Sequence, residues 1–304
     1  MSCGAFKLPL AALTPPNTTN MKPLTVLFLS FLFIILFAAD SSAQAQTMLT
    51  RTTTKTDRLD FGAGGTIVVA GAPKGSITVE GWPNREVEIT AEIIVEGATE
   101  ADLDRLSKVV GFSLEESTGR VGIVSVGTND KKYLKLVDKN FPKELLKNSY
   151  RIDYVIKVPR YTDLQIDGGS GDLAVSGIDG AMKINYIETH AKLELVGGGL
   201  LAVFGKGDVE ISVPTRSWRG RFADVQLASG NMVLNLPTGL NADFDASILR
   251  TGRIENAFAE FKPRVRKQEF TETSIVAKSG AGGVPLKFSV GDGTMKIYQD
   301  KKPV

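Results

Sequence analysis

The 304-residue chain contains one cysteine, one histidine and almost no excess of charge, and each shortage closes a class of chemistry. Cys3 lies ahead of a segment read below as removed, so the exported chain has no disulfide, no thiolate nucleophile and no Cys-ligated zinc. His190 stands alone: zinc and iron sites want two or three nitrogen or sulfur ligands, and a Ser-His-Asp triad must use this histidine or not exist. No Gly-x-Ser-x-Gly elbow surrounds any serine, and His190 reads as the end of the strand Tyr186-Ile187-Glu188-Thr189-His190. Lys and Arg number 36 against 34 Asp and Glu, a balance that attracts no charge-driven partner such as a nucleic acid.

One long apolar run is present, and it sits at the front. Leu24 to Ala39 is apolar except for Thr25 and Ser30; Met21-Lys22 precedes it, and Asp40, Ser41, Ser42 and the triplet Ala43-Gln44-Ala45 follow. That order is a secretory signal peptide cleaved after Ala45, with translation starting at Met21. An uncleaved anchor is the alternative, although a spanning helix wants about twenty apolar residues. No cysteine follows the run, which removes lipoprotein anchoring. Residues 1–45 are therefore the signal region and 46–304 a single domain in a secreted or periplasmic location, with no integral span after cleavage. The tail Lys301-Lys302-Pro303-Val304 has neither apolar stretch nor sorting signal, so the expected form is free, periplasmic or held by a partner.

Cleavage removes five of the fifteen phenylalanines and keeps 30 of the 31 glycines, leaving a chain poor in aromatics and rich in turns. Short runs of alternating hydrophobicity recur at Thr66–Ala70, Ser76–Glu80, Glu86–Val95 and Arg151–Val158, and they predict β-strands. One helix interrupts them: Thr99 and Asp102 form a capping box, Leu103, Leu106 and Val110 share a face, and Gly111 stops it. Residues 131–147 are Lys-rich and read as a surface loop. In the second half, apolar pairs two residues apart (Leu173/Val175, Met182/Ile184, Leu193/Leu195, Leu201/Val203, Val209/Ile211) recur every eight to eleven residues, and Leu234/Leu236 and Ile254 continue the pattern. One strand and one turn cannot bury a face alone, so neighbours must stack, which argues for an all-β solenoid. A sandwich of antiparallel hairpins uses the same spacing and stays open as the alternative.

The segment Val158-Pro159-Arg160-Tyr161-Thr162-Asp163-Leu164, followed by Gly169-Ser170-Gly171-Asp172-Leu173-Ala174-Val175-Ser176-Gly177, resembles the putative-adhesin domain family of secreted bacterial proteins. Gly75 to Trp82 and Gly291 to Ile297 fit the same pattern. The resemblance covers most of residues 60–300 and implies a right-handed, β-helix-like solenoid and an adhesin-like role.

Few constellations carry chemistry. Asp167-Gly168-Gly169-Ser170-Gly171-Asp172 is similar to the calcium-loading repeat of β-rolls, but its Asp comes one residue early and it occurs once. Gly171-Asp172, Gly207-Asp208 and Gly291-Asp292 read as corners. Neither Gly62-x-Gly64-Gly65 nor Gly280-x-Gly282-Gly283 completes a phosphate cradle. No metal or cofactor is expected. Asp167, Asp172, Asp179 and Asp208 are the acids a polysaccharide-active enzyme would draw on, each beside a glycine in a turn. Arg216, Trp218, Arg219, Arg221 and Phe222 break the strand rhythm and form the candidate ligand site: guanidinium groups suit anionic groups and a Trp face suits sugars. Lys262, Arg264, Arg266 and Lys267 read as a solvated strand face, and Trp82 as a packing residue. The reading is a non-enzymatic binding or surface-interaction module for an anionic envelope polymer or glycan; a polysaccharide-active enzyme and a cell-envelope structural or signalling accessory are the rivals.

The exported protein is expected to begin at Gln46. Mass spectrometry of the secreted and periplasmic fractions checks this, and peptides spanning Phe28 to Phe37 in a membrane-bound product would overturn it.

Overall fold

Glycine and alternation together dictate the architecture. A computed structural model describes residues 48–214 and 218–300. The apolar leader, Arg216 and the C-terminal Lys301-Lys302-Pro303-Val304 lie outside the described residues. No helix among the described residues is long and apolar enough to cross a membrane.

The N-terminal half contains β1 (Leu49–Asp60), β2 (Thr66–Ala70), β3 (Ile77–Trp82), β4 (Glu86–Gly97), α1 (Glu100–Val109), β5 (Gly111–Ser117), β6 (Arg120–Val126), α2 (Lys131–Val137), a 3-10 turn (Glu144–Lys147) and β7 (Tyr150–Pro159). The second half contains β8 (Asp163–Ser170), β9 (Leu173–Ser176), β10 (Ala181–Glu194), β11 (Gly199–Ser212), β12 (Phe222–Pro237), β13 (Ala242–Asn256), β14 (Lys262–Pro263), β15 (Ser274–Ser279) and β16 (Val284–Asp300). All sixteen strands belong to one mixed sheet that does not close on itself.

The second half is a parallel ladder. Residue 181 on β10 pairs with 199 on β11, and the register holds to Glu194 and Ser212, so one repeat of the stack is 18 residues here. The repeat is thus two of the eight-to-eleven-residue units, joined at a corner within one continuous strand. β11 pairs with β12, β12 with β16 and β16 with β13, all parallel, so the C-terminal strand lies between β12 and β13. The ladder continues toward the N-terminus through β8 to β2 and β6, and through β9 to β3 and β7. Antiparallel pairing adds β4 and β1 at one end and β15 and β14 at the other.

Side chains stack in register along this ladder. Leu164, Met182, Leu200, Ala223 and Leu286 form one buried column, and Leu173, Ala191, Val209, Met232 and Met295 another. Period-two alternation puts every second residue inside, but it does not say which half. At Leu200-Leu201-Ala202-Val203-Phe204 all five are apolar; the structure buries Leu200, Ala202 and Phe204 and turns Leu201 and Val203 outward, correcting the expectation that the latter pair is core. An aromatic cluster of Phe244, Phe258, Phe261 and Phe288 fills the end of the core beside β13.

The corners require glycine. Gly75, Gly171, Gly207, Gly230, Gly293 and Gly252 line up along the stack, interrupted only by Thr189 between Gly171 and Gly207, and all six have positive φ; at Gly207 it is 128°. A Cβ on Gly230 would collide with the carbonyl of Gly207, and one on Gly207 with that of Thr189. In the pair Gly291-Asp292 the positive φ falls on Gly293 instead, because that residue pairs with Gly252.

Two corrections fall in the N-terminal half. α1 has the expected Thr99 and Asp102 capping box and buries Leu103, Leu106 and Val109. Residues 131–147, however, are not a plain loop: the Asp130 carboxylate accepts from the Lys132 and Tyr133 N–H groups at 2.9 and 3.0 Å to start α2, and Leu134 and Leu145 are buried anchors. The lysines hid two short apolar anchors spaced too far apart to show a period. β1, a Thr-rich strand that is mostly exposed, is also missed by periodicity because it buries no face.

Gly230→Ala is expected to cost about 3 kcal/mol or more, from both the left-handed backbone and the clash. Leu195→Asp, at a fully buried position, should cost several kcal/mol, whereas Leu201→Ser should be near neutral. Urea denaturation of the three variants checks this; near wild-type stability for Gly230→Ala would show that the corner does not need glycine.

Candidate binding surface

Where six glycines and one threonine line up, the outer surface has a floor without protruding side chains. Seven rungs at about 4.8 Å spacing make the column about 29 Å long. Over Lys74 to Gly230 it is sunk into two adjoining open depressions, of about 420 and 330 Å³, that share Ser170, Gly171 and Asp172. One rim carries Lys74, Ser170, Glu188, Lys206 and Ser229, paired rung to rung. The other carries Ser76, Asp172, His190, Asp208 and Asn231. Thr189 takes the glycine position on β10; it is buried, and its hydroxyl has no hydrogen-bond partner among the described residues.

The rims are charged but internally matched. Lys206 lies 3.4 Å from Glu188, His190 Nδ1 lies 3.4 Å from Asp208, and Asn231 Nδ2 donates to Asp208 at 2.9 Å. At the Lys74 end, burial works against the charge of Asp153, but the hydroxyl and backbone N–H of Ser76, both 2.7 Å away, and Arg151 at 2.6 Å hold its carboxyl below the usual range. Tyr186 lies beneath the floor with its ring against Gly168, where a Cβ would strike it, and its hydroxyl donates to the Gly75 carbonyl at 3.3 Å. Burial, reinforced by the charges of Asp172 and Asp153, pushes that phenol up to about 12. Burial does the same to Tyr154, also to about 12, against the opposing hydrogen bond with Ser125 at 2.7 Å.

The four acids that a polysaccharide-active enzyme would draw on do not converge. Asp172 and Asp208 lie on the same rim with His190 between them. Asp167 faces out from β8, accepting from Asn185 at 2.7 Å and Gln165 at 3.1 Å, and Asp179 packs against Gly197 at the turn before β10. The trough itself was visible in the sequence only as Gly-Asp corners, because their alignment depends on the rung-to-rung register.

The candidate ligand segment divides. Trp218 belongs to the core, packed on Gly220, and its indole N–H has no partner among the described residues. It presents no open face to a sugar, since an indole is large enough to cap a core edge. Arg219 and Arg221 are exposed, and neither makes an ion pair among the described residues. The Arg221 N–H donates to the Gly198 carbonyl at 2.6 Å, and the half-buried Phe222 ring lies across Gly199 on the outer face. Arg216 lies outside the described residues. Lys262, Arg264, Arg266 and Lys267 are all exposed, with Arg264 paired to Asp245 at 2.6 Å. The Trp82 indole donates to the Glu86 carbonyl at 2.8 Å, and Lys157 lies over its ring at 5.6 Å, a packing arrangement.

No family model matches the sequence, and no curated protein matches it. A comparison with solved structures finds similarity at low identity, with TM-scores below 0.5 in the three cases that follow. A "putative cell adhesion protein" of Clostridium sporogenes is 13% identical with a TM-score of 0.47, covering 82% of this chain and 100% of that one. A "putative adhesin" of Bacteroides fragilis is 10% identical with a TM-score of 0.27 over 81% of this chain and 97% of that one. A "putative lipid binding protein" of Parabacteroides distasonis is 11% identical with a TM-score of 0.26 over 82% and 97%.

Raised phenol values link stability to alkaline pH. Tyr154 and Tyr186 stay neutral in the fold while the unfolded chain ionises them near pH 10, so their contribution is complete below pH 10 and lost as pH rises toward about 12. The urea midpoint should therefore fall from about pH 10 upward, and less steeply in the Tyr154→Phe, Tyr186→Phe double variant. Ultraviolet titration in which every tyrosine ionises together near pH 10 would contradict it.

Proposed function

We propose that the protein is a secreted or periplasmic, non-enzymatic binding module of the cell envelope, adhesin-like in role, in which the parallel ladder is a β-solenoid and the glycine-floored trough takes an extended polar polymer, foremost a glycan. The observation that carries the reading is the trough. A floor of glycines lets a ligand approach the backbone, and open ends suit a chain longer than the site. The rims alternate carboxylates, ammonium groups, hydroxyls and amides, which pair with sugar hydroxyls as both donors and acceptors. Internal pairing of the charges disfavours strong selection for either sign. Parallel pairing from β8 to β13 supports the solenoid over a sandwich of antiparallel hairpins.

The segment from Arg216 to Phe222 extends the reading to anionic polymers through Arg219 and Arg221. A second reading, glycan cleavage, is favoured by one observation, the shared rim of Asp172 and Asp208. Their backbones lie two rungs apart, about 9.6 Å along the column, at the upper limit of the roughly 6.5–9.5 Å carboxyl separation of inverting pairs.

Affinity electrophoresis against neutral and anionic polysaccharides, with mass-spectrometric analysis of each glycan afterwards, tests both. Ser229→Trp, which fills the trough from a half-buried rim position, is expected to weaken binding at least ten-fold while the melting temperature is kept. Undiminished binding by that folded variant would overturn the trough as the site. Shortened products, abolished by Asp172→Asn or Asp208→Asn, would replace the binding reading with the enzymatic one.

A further inference from the structure

On the outward face of the ladder beside the trough, a run of exposed apolar side chains lies between the polar pairs Lys183, Asn185 and Asp224, Gln226. Ile187 on β10 is 71% exposed, and Leu201 and Val203 on β11 are 48% and 50% exposed. Register places them together: Leu201 and Val203 project from one strand, Ile187 lies diagonally across from Val203, and Phe222 lies diagonally across from Leu201. Leu249, 67% exposed, stands across an open depression of about 380 Å³ shared with Val203 and Ala228. A contiguous exposed apolar patch of this kind marks an interaction surface, whereas scattered single residues do not.

Around the patch the cations without an ion pair among the described residues outnumber such acids by three to two. Of the acids on this face, Asp224 is paired with Lys287 at 3.5 Å, whereas Asp167, held by two neutral amides, and Asp163, held by the Ala181 N–H at 2.7 Å, keep their charge. Lys183, on the strand beside Leu201, and Arg219 and Arg221, at the entry to β12, are exposed and make no ion pair among the described residues. We infer that this face docks on an anionic lipid surface, with Ile187, Leu201 and Val203 entering the acyl boundary and Lys183, Arg219 and Arg221 meeting the headgroups. A second copy placed symmetrically on the patch would bring the same unpaired cations toward each other, which disfavours self-association. A water-soluble polyanion would satisfy the cations but leave the aliphatic side chains in water. The inference stands on this face alone and does not depend on the trough.

The test uses the exported protein, recovered after cleavage with its N-terminus verified, so that the apolar leader takes no part. Cosedimentation is measured with phosphatidylcholine vesicles with and without phosphatidylglycerol, at low and high salt. Wild type should favour the anionic vesicles by about five-fold at low salt, since each basic residue near such a surface contributes about five-fold and two of the three are opposed by Asp163 and Asp167. High salt should shrink that preference. The variant Ile187→Ser, Leu201→Ser, Val203→Ser should bind at least ten-fold more weakly at either salt. The variant Lys183→Ser, Arg219→Ser, Arg221→Ser should lose the preference for anionic lipid. All six positions are exposed, so unchanged melting temperatures are expected, and the trough variant Ser229→Trp should still bind vesicles. No binding of wild type to anionic vesicles, no preference over phosphatidylcholine, or wild-type binding by the folded apolar variant would overturn the inference. Dissociation of a wild-type dimer by the apolar variant, without vesicle binding, would instead assign the face to self-association.

Discussion

The close approach of one rung's backbone to the next at the corner is the constraint on which this structure depends. Hydrogen-bonded rungs stack at a fixed spacing, and a chain that turns within a rung brings its carbonyl against the Cα above it. At Gly171, Gly207, Gly230, Gly252 and Gly293 nothing larger than hydrogen fits, and the φ required is one that side chains rarely adopt. Once these residues align, the two segments of each rung are held in register, and the inward columns from Leu164 to Leu286 and from Leu173 to Met295 follow.

Thr189 shows how narrow the constraint is. It occupies the same column without a left-handed backbone, and there Ile187 and Glu188 both face solvent, so alternation slips before the inward pattern resumes at Thr189, Ala191 and Leu193. The hydroxyl of Thr189 is buried without a partner among the described residues, a cost the neighbouring apolar columns must offset.

The same geometry that makes the core also makes the outside. Removing side chains from the corner leaves a trough, and holding rungs in register lines up rim residues that are 18 residues apart or more, such as Glu188 with Lys206 and His190 with Asp208. The adjoining face collects apolar residues for the opposite reason: β11 is apolar at five successive positions, and the core can accept only every second one. An exposed apolar face and a packed core face thus come from one alternating strand.

Local signals were legible in the residues themselves. The strands at Thr66–Ala70 and around Ile77, Glu86 and Arg151, the capping box of α1, and the corners at Gly171 and Gly207 all rest on neighbours within a few positions, where periodicity and φ preference act directly. Tertiary structure decided what distance and phase decide: that β16 lies between β12 and β13, that Leu200 rather than Leu201 faces inward, that Trp218 covers the core, and that α2 forms among the lysines. A strand's pattern carries its period but not its phase or its partner. Phase and partner are set by which columns fill the interior of the whole stack, a condition no local stretch of sequence contains.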